Sequence, residues 1–390
     1  MIEILRAREI LTMRNGQPVL ANGALVHDGK TILALDTFPS ITKSYSGAIR
    51  DLGEVLLAPG LINAHTHLEL SNFKGKTTPG QGFETWVKSL IALPRNPVDL
   101  PALDDAVSQM AGTGTAAVGD ISNFHTRHVA ETLNKHSLGY TLQYELFGHQ
   151  PLPPGSDPLP GSSLDLDPED LEQHLALAGH ALYSTHPDRL RAAKAWDNKH
   201  GLPFSLHLAE HSGEVELLST GTGSFADLLR KRVIPPDYSP PGLSPVAYAY
   251  QLGLLDGSTL AVHCVRTDTS DLELLKQRGA TICLCPRSNE FIGVGAAPVE
   301  SMRALSIPLC LGTDSLASNH DLNLWNEAMF LLEKLSSHIT LSEVMHWMTA
   351  TPARALGLSA KYGSLEPGKR PLVSCVPKDL LEMTTNLAAR

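Results

Sequence analysis

From residue 59 onward, short apolar runs alternate with longer amphipathic stretches. The apolar runs are Leu61–Ala64, Ala116–Ile121, Leu138–Glu145, Ala176–Tyr183, Pro203–Leu208, Thr259–Val262, Thr281–Leu284 and Pro308–Leu311. The stretches between them, such as Thr126–His136, Asp188–His200, Asp268–Arg278 and Leu322–Ser336, repeat their apolar residues at helical spacing. Strand-like runs alternating with helices predict an α/β fold, a (β/α)8 TIM-type barrel over 59–359. A doubly wound open sheet would alternate in a similar way. Neither G-x-G-x-x-G nor G-x-x-x-x-G-K-[ST] follows any of these runs, which removes the usual support for that competitor.

Residues 1–58 have a different texture. Ile2–Leu5, Pro18–Leu25 and Thr31–Leu35 read as strands. They are broken at Asn15-Gly16, Asn22-Gly23 and Asp28-Gly29-Lys30, sequences that favour tight turns. A small β-domain is expected here. Gly363–Lys369 reads as a turn, and Pro371–Val376 as a strand returning to that domain, so 360–390 is grouped with 1–58. Two Pro-rich segments, Phe147–Pro168 and Gly221–Pro245, are too long for simple connections. They are expected to lie over one face of the barrel.

Composition narrows the class. Of 390 residues, 42 % are apolar, enough for a large core without disulfide or metal staples. Lys plus Arg is 31 and Asp plus Glu is 41, a net charge of −10 with no basic block. That excludes nucleic acid and anionic membrane as main partners. No apolar run exceeds five residues, as in Val246–Tyr250, whereas a membrane span needs about 20. Met1–Glu9 is charged and lacks the apolar stretch of a secretion signal. Four of five cysteines (Cys264, Cys283, Cys285, Cys310) sit in apolar runs, as free thiols in a reducing compartment do. The expected location is the cytoplasm.

Polar residues cluster at the C-terminal ends of the strand candidates. His65 and His67 end the first; His207 ends the fifth, with Glu210 three residues on. His263 ends the sixth and Asp314 the eighth. In a closed barrel those ends converge on one mouth. On a strand, residues i and i+2 point the same way, so His65 and His67 can grip one ion. Three imidazoles and a carboxylate suit Zn²⁺ or Fe²⁺ and leave room for water. With 17 histidines in the chain, His-x-His alone is weak; the conjunction of strand ends in this order carries the expectation.

The chain resembles the amidohydrolase superfamily, in particular its branch of cyclic-amidine deaminases and chlorohydrolases. The resemblance is carried by Ala58–Leu68 (APGLINAHTHL), Ser205–His211 (SLHLAEH), Ala261–Cys264 (AVHC), Cys285–Asn289 (CPRSN), Leu311–Ser315 (LGTDS) and Gly363–Lys369 (GSLEPGK). It implies a barrel with a small β-sandwich built from the N- and C-terminal segments. It implies that His65, His67, His207 and Asp314 hold one divalent metal, Zn²⁺ before Fe²⁺. Glu210 matches the proton shuttle and His263 the histidine that orients the attacking oxygen. Asp314 takes the proton of the water. Binuclear members carry a bridging lysine at the end of strand four. Gly179–His186 (GHALYSTH) has none, which favours a single metal. The implied reaction replaces an exocyclic amine of a heterocycle by oxygen and releases ammonia.

For substrate, Leu68–Lys76 (LELSNFKGK), Gly82–Val87 (GFETWV) and His180–Pro187 (HALYSTHP) resemble aminodeoxyfutalosine deaminases, which act on an adenine nucleoside bearing a benzoate. S-adenosylhomocysteine/methylthioadenosine deaminases are the near alternative. His180 matches a histidine that contacts substrate. Arg287 or Lys74 would meet the carboxylate. Glu69 is expected to face the mouth or to bond backbone amides, and Trp86, like Phe83, to stack on the purine or to pack in the core. A chlorohydrolase acting on a triazine or pyrimidine, and a barrel that has lost catalysis and serves as a scaffold, are the remaining readings. The partner is then a small, purine-nucleoside-like molecule, with a homodimer left open.

Overall fold

The computed structural model describes residues 2–14, 17–94, 97–153, 155–159, 175–335 and 339–386. Eight parallel strands form one sheet in chain order: β6 (Leu61–Thr66), β7 (Thr115–Ser122), β8 (Gly139–Leu146), β9 (Leu175–Ala181), β10 (Phe204–Leu208), β11 (Thr259–His263), β12 (Thr281–Leu284) and β13 (Leu309–Leu311). Among the described residues, helices connect successive strands except β8 and β9, giving an α/β barrel of the TIM type. Each of the eight apolar runs became a strand. Strands buried on both faces favour apolar runs, and every residue of β6, β7, β10, β11, β12 and β13 is buried, the polar ones included.

Closure between β13 and β6 is made at the mouth. Thr66 and Asp314 form a parallel bridge, and the N–H groups of Thr313 and Asp314 both donate to the His65 carbonyl at 3.1 Å. Asn63 reinforces the seam: its Nδ2 donates to Thr313 Oγ1 at 2.7 Å, and its Oδ1 accepts from Thr313 N at 3.1 Å. The seam that shuts the barrel therefore carries His65 and Asp314 on its two sides.

The remaining strands form a six-stranded mixed sheet. β1 (Glu3–Arg14) is its centre, with β2 (Gln17–His27) antiparallel on one side and β3 (Ile32–Thr37) beyond it. β4 (Ala48–Asp51) and β5 (Leu56–Pro59) run parallel to β1, and β14 (Val373–Cys375) pairs antiparallel with β5. The C-terminal strand thus returns to the N-terminal sheet. Two expectations failed locally. Glu3–Arg14 is one long strand, and Asn22-Gly23 lies inside β2 rather than in a turn. Asn22 takes a left-handed φ of 44° without leaving the ladder, and its Oδ1 accepts from Arg6 Nε at 3.2 Å. Gly23 is there for space, since a Cβ would lie 2.7 Å from Ile10 Cγ1.

Of the two long Pro-rich segments, Phe147–Pro168 falls partly outside the described residues. Gly221–Pro245 holds a short helix, Ser224–Arg230, and covers one side of the barrel mouth. Among the described residues no helix is long and apolar enough to cross a membrane. All five cysteines are free; Cys375 is exposed and the other four are buried.

Candidate active site

The strand ends supply the histidines, and the backbone there is strained. His263 (φ 72°), Cys264 (φ 48°), Ala209 (φ 51°) and Asp314 (φ 56°) are non-glycine residues in the left-handed region. Each such conformation costs about 1–2 kcal/mol. Backbone bonds hold it: Cys264 N donates to Leu208 O at 3.0 Å and Arg266 N to Ala209 O at 2.7 Å. Four such residues at the strand ends that carry His207, His263 and Asp314 fit a site whose geometry is over-determined by its surroundings.

Four imidazoles and two carboxylates meet here. The His65 ring stands edge-on to His67 and His207, with centroids 4.9 and 5.0 Å away, while His67 and His207 are nearly parallel at 5.4 Å. His67 Nε2 lies 3.3 Å from His207 Nε2. Asp314 Oδ1 lies 3.8 Å from His65 Nε2 and 3.7 Å from His67 Nε2. Ligand atoms of His65, His67 and His207 all fall within 4.8 Å of one another.

This donor set fits a metal ion. His65 is fully buried, yet neither of its ring nitrogens has a hydrogen-bond partner among the described residues. Burying an imidazole without partners is costly unless another group satisfies it. Burial holds its pKa well below the usual imidazole value, and the neighbouring His67, His207 and His263 lower it further. His65 is therefore neutral, the state in which imidazole binds a cation.

A second layer orients the first. His207 Nδ1 lies 2.7 Å from the His180 carbonyl, which fixes Nδ1 as the donor and turns Nε2 inward. His263 Nδ1 meets Asn289 Oδ1 at 3.0 Å in the same manner. Asp314 Oδ2 accepts from Ser288 Oγ at 2.7 Å and Ser318 Oγ at 2.9 Å. Ser288 and Asn289 belong to the Cys285–Asn289 segment, whose polar pair was not singled out from sequence. The signal was present, as two small polar residues directly after a strand end in a motif otherwise read for Arg287.

Glu210 is buried, and its Oε1 lies 3.8 Å from His263 Nε2. Its backbone N–H and that of Ala209 donate to the Glu214 carboxylate at 2.8 and 3.1 Å, which sets the direction of the turn that carries it. Burial pushes the Glu210 carboxyl well above the ordinary carboxylate range, and Asp314 and Glu214 push it further. This shift favours the protonated form, the one able to give a proton.

These residues floor a cavity of about 1620 Å³, open mouth included. Glu69, Trp86, Glu145 and His180 line it with His67, His207, Glu210, His263 and Asp314. Glu69 has a second task. Its Oε2 accepts from the N–H groups of Asn123, Phe124 and His125 at 3.2, 2.9 and 3.0 Å, where helix Thr126–Lys135 begins. Trp86 Nε1 donates to Ala317 O at 2.9 Å, and Phe83 stacks on His211 at 3.8 Å. His180 meets Ser184 Oγ through Nδ1 and packs against Phe147 at 4.8 Å. The two candidate carboxylate anchors are not brought to the cavity. Lys74 is exposed and lies outside its lining. Arg287 turns away: its guanidinium makes a bidentate pair with Asp321 at 2.7 and 2.9 Å and lies 3.8 Å from Glu327. The cation that does line the cavity is Arg232.

An eight-stranded barrel with three histidines and an aspartate at its C-terminal mouth defines a class of metal-dependent hydrolases. Comparison with known proteins then gives the family. Residues 56–388 match the Amidohydrolase family, and the chain belongs to it. It is a hydrolase acting on carbon–nitrogen bonds. A 5-methylthioadenosine/S-adenosylhomocysteine deaminase of Nitratidesulfovibrio vulgaris is 30 % identical over 366 residues, 90 % of this chain and 76 % of that one. An aminodeoxyfutalosine deaminase of Deinococcus radiodurans is 27 % identical over 320 residues, 79 % of this chain and 75 % of that one. The crystal structure of Helicobacter pylori aminofutalosine deaminase in complex with methylthio-coformycin shares the fold. Its TM-score is 0.85 at 23 % identity, covering 99 % of this chain and 96 % of that one.

Proposed function

We propose that the protein hydrolytically deaminates an adenine nucleoside, yielding the hypoxanthine form and ammonia. The observation that carries this reading is Glu210, buried and set 3.8 Å from His263 beside the cluster of His65, His67, His207 and Asp314. One divalent cation, Zn²⁺ by donor chemistry with Fe²⁺ accepting the same donors, would be held by His65, His67, His207 and Asp314. Bound there, such an ion supplies Lewis acidity that brings the pKa of water near neutrality.

The chain's own residues do the rest. Glu210 donates its proton to the adenine ring nitrogen beside C6, which makes C6 electrophilic. Water adds at C6 while Asp314 accepts its proton. Ser288 and Ser318 occupy Asp314 Oδ2, so Oδ1 faces the reacting oxygen. His263, steadied by Asn289, presents Nε2 to the same oxygen. The C6–N bond then breaks: the new C6 hydroxyl gives up its proton, Glu210 passes it to the departing amine, which leaves as ammonia, and the proton held by Asp314 returns to Glu210. Nucleoside plus water gives keto product plus ammonia, so atoms balance.

For the particular substrate we favour aminodeoxyfutalosine, supported by the resemblance of residues 68–76, 82–87 and 180–187 and by the relative from Deinococcus radiodurans. Methylthioadenosine or S-adenosylhomocysteine is the second reading, supported by the relative at 30 % identity. The test is ammonia release by zinc-loaded protein from a panel of aminodeoxyfutalosine, S-adenosylhomocysteine, methylthioadenosine and adenosine. The first is expected to give the highest kcat/KM. Glu210→Gln should lower kcat by about 10²–10⁴-fold. Full activity in that variant would remove the assigned proton path, and silence on every adenine nucleoside would remove the function.

A further inference from the structure

The cavity is electrostatically lopsided. Its acidic lining residues are Glu69, Glu145, Glu210 and Asp314, and Arg232 is the one lysine or arginine in the lining. Arg232 follows helix Ser224–Arg230, where its N–H donates to Leu229 O at 3.0 Å. Its side chain is exposed and, among the described residues, makes no hydrogen bond or ion pair. Arg287 is paired with Asp321 and Arg303 with Glu343, whereas Arg50 and Arg354 lie outside the cavity; Arg232 is set apart by being unpaired on its wall. An unpaired guanidinium on a cavity wall, in a chain of net charge −10, is a group left available to a ligand.

Burial orders the cavity from floor to rim. His263, Glu210 and Asp314 are buried at the floor, whereas Phe124 and Phe147 are half-exposed, as Arg232 is exposed, at the rim. On the deaminase reading, on which this inference rests, C6 of the purine must reach the floor. The ribose on the opposite side of the purine then points outward, and the far end of a 5′ substituent arrives among Phe124, Phe147 and Arg232. We propose that Arg232 is the specificity residue that receives a carboxylate at the end of that substituent. The half-exposed phenylalanines cover the apolar part between. A carboxylate entering beside Glu69 and Glu145 without this cation would be repelled.

The test is equilibrium binding in the zinc-loaded Glu210→Gln protein, which keeps the ligand from being consumed. Aminodeoxyfutalosine is compared with its methyl ester, an isostere without the charge. The free acid should bind about 10- to 100-fold more tightly, and R232Q should abolish that preference. R232K should keep part of it, and Lys231→Gln, an exposed neighbour, should keep all of it. No preference in the parent protein, or a preference that survives R232Q, overturns the assignment. If the preference behaves as expected but the protein with Glu210 intact releases no ammonia, the deaminase reading fails and the carboxylate site stands.

Discussion

Asp314 divides its two oxygens between tasks. Oδ1 faces the nitrogens of His65 and His67, and Oδ2 is held by Ser288 and Ser318. A carboxylate held on one side by two hydroxyls is oriented before any ion arrives, which lowers the entropic cost of binding. Ser288→Ala should therefore weaken metal retention by about 10-fold or more. Competition with a chelator, followed by metal analysis, reads this directly; unchanged retention would show that Ser318 alone suffices. Sequence spacing brought the histidines, Glu210 and Asp314 into view because each sits at the end of an apolar strand. It did not separate Arg287 from Ser288. Those residues are adjacent on helix Pro286–Ile292 and face different neighbours, one toward Asp321 and the other toward Asp314. Which face of a short helix looks into a cavity is set by packing and leaves no periodic trace over seven residues.

Helix Pro187–His200 packs on β9 through Leu190, and Gly179 admits it, because a Cβ there would overlap the Leu190 side chain. Near its C-terminus the same helix buries Asp197, whose Oδ1 accepts from Leu177 N at 2.9 Å while Oδ2 lacks a partner among the described residues. Burial pushes this carboxyl up to about 8 against the hydrogen bond and Lys194, which lower it. The folded state thus holds a proton that the unfolded chain releases near pH 4. Stability from this group is complete below pH 4 and is lost as pH rises toward 8. Asp197→Asn, neutral throughout, should remove that slope. Between pH 5 and pH 8 the thermal midpoint of the parent should fall relative to the variant. Parallel curves would mean that Asp197 is ionised when folded. Elements of this kind were legible where burial is two-sided and failed where it is not. In the N-terminal sheet, Asn22-Gly23 carries the signature of a turn, yet pairing with β1 keeps it inside β2.

At the scale of the whole molecule, one ion held by β6, β10 and the residue beyond β13 would join parts of the chain about 250 positions apart. It would also brace the seam where Asp314 meets His65 and Thr66. Any ligand that binds only the folded state stabilises it by mass action, by about 4 kcal/mol at a thousand times its dissociation constant. Stripping divalent metal should lower the thermal midpoint by several degrees, and zinc should restore it. A midpoint indifferent to zinc would count against these ligands. By itself the amino-acid sequence determined the alternation of eight buried strands with helices and the polar residues at their exits. Those are local properties, written in periodicity and in residue type. Tertiary structure alone decided which cation faces the cavity, which hydroxyls hold Asp314, and where burial raises the pKa of the Glu210 carboxyl. Each of these depends on groups distant in the chain and on the water they exclude, and neither quantity has a local signature.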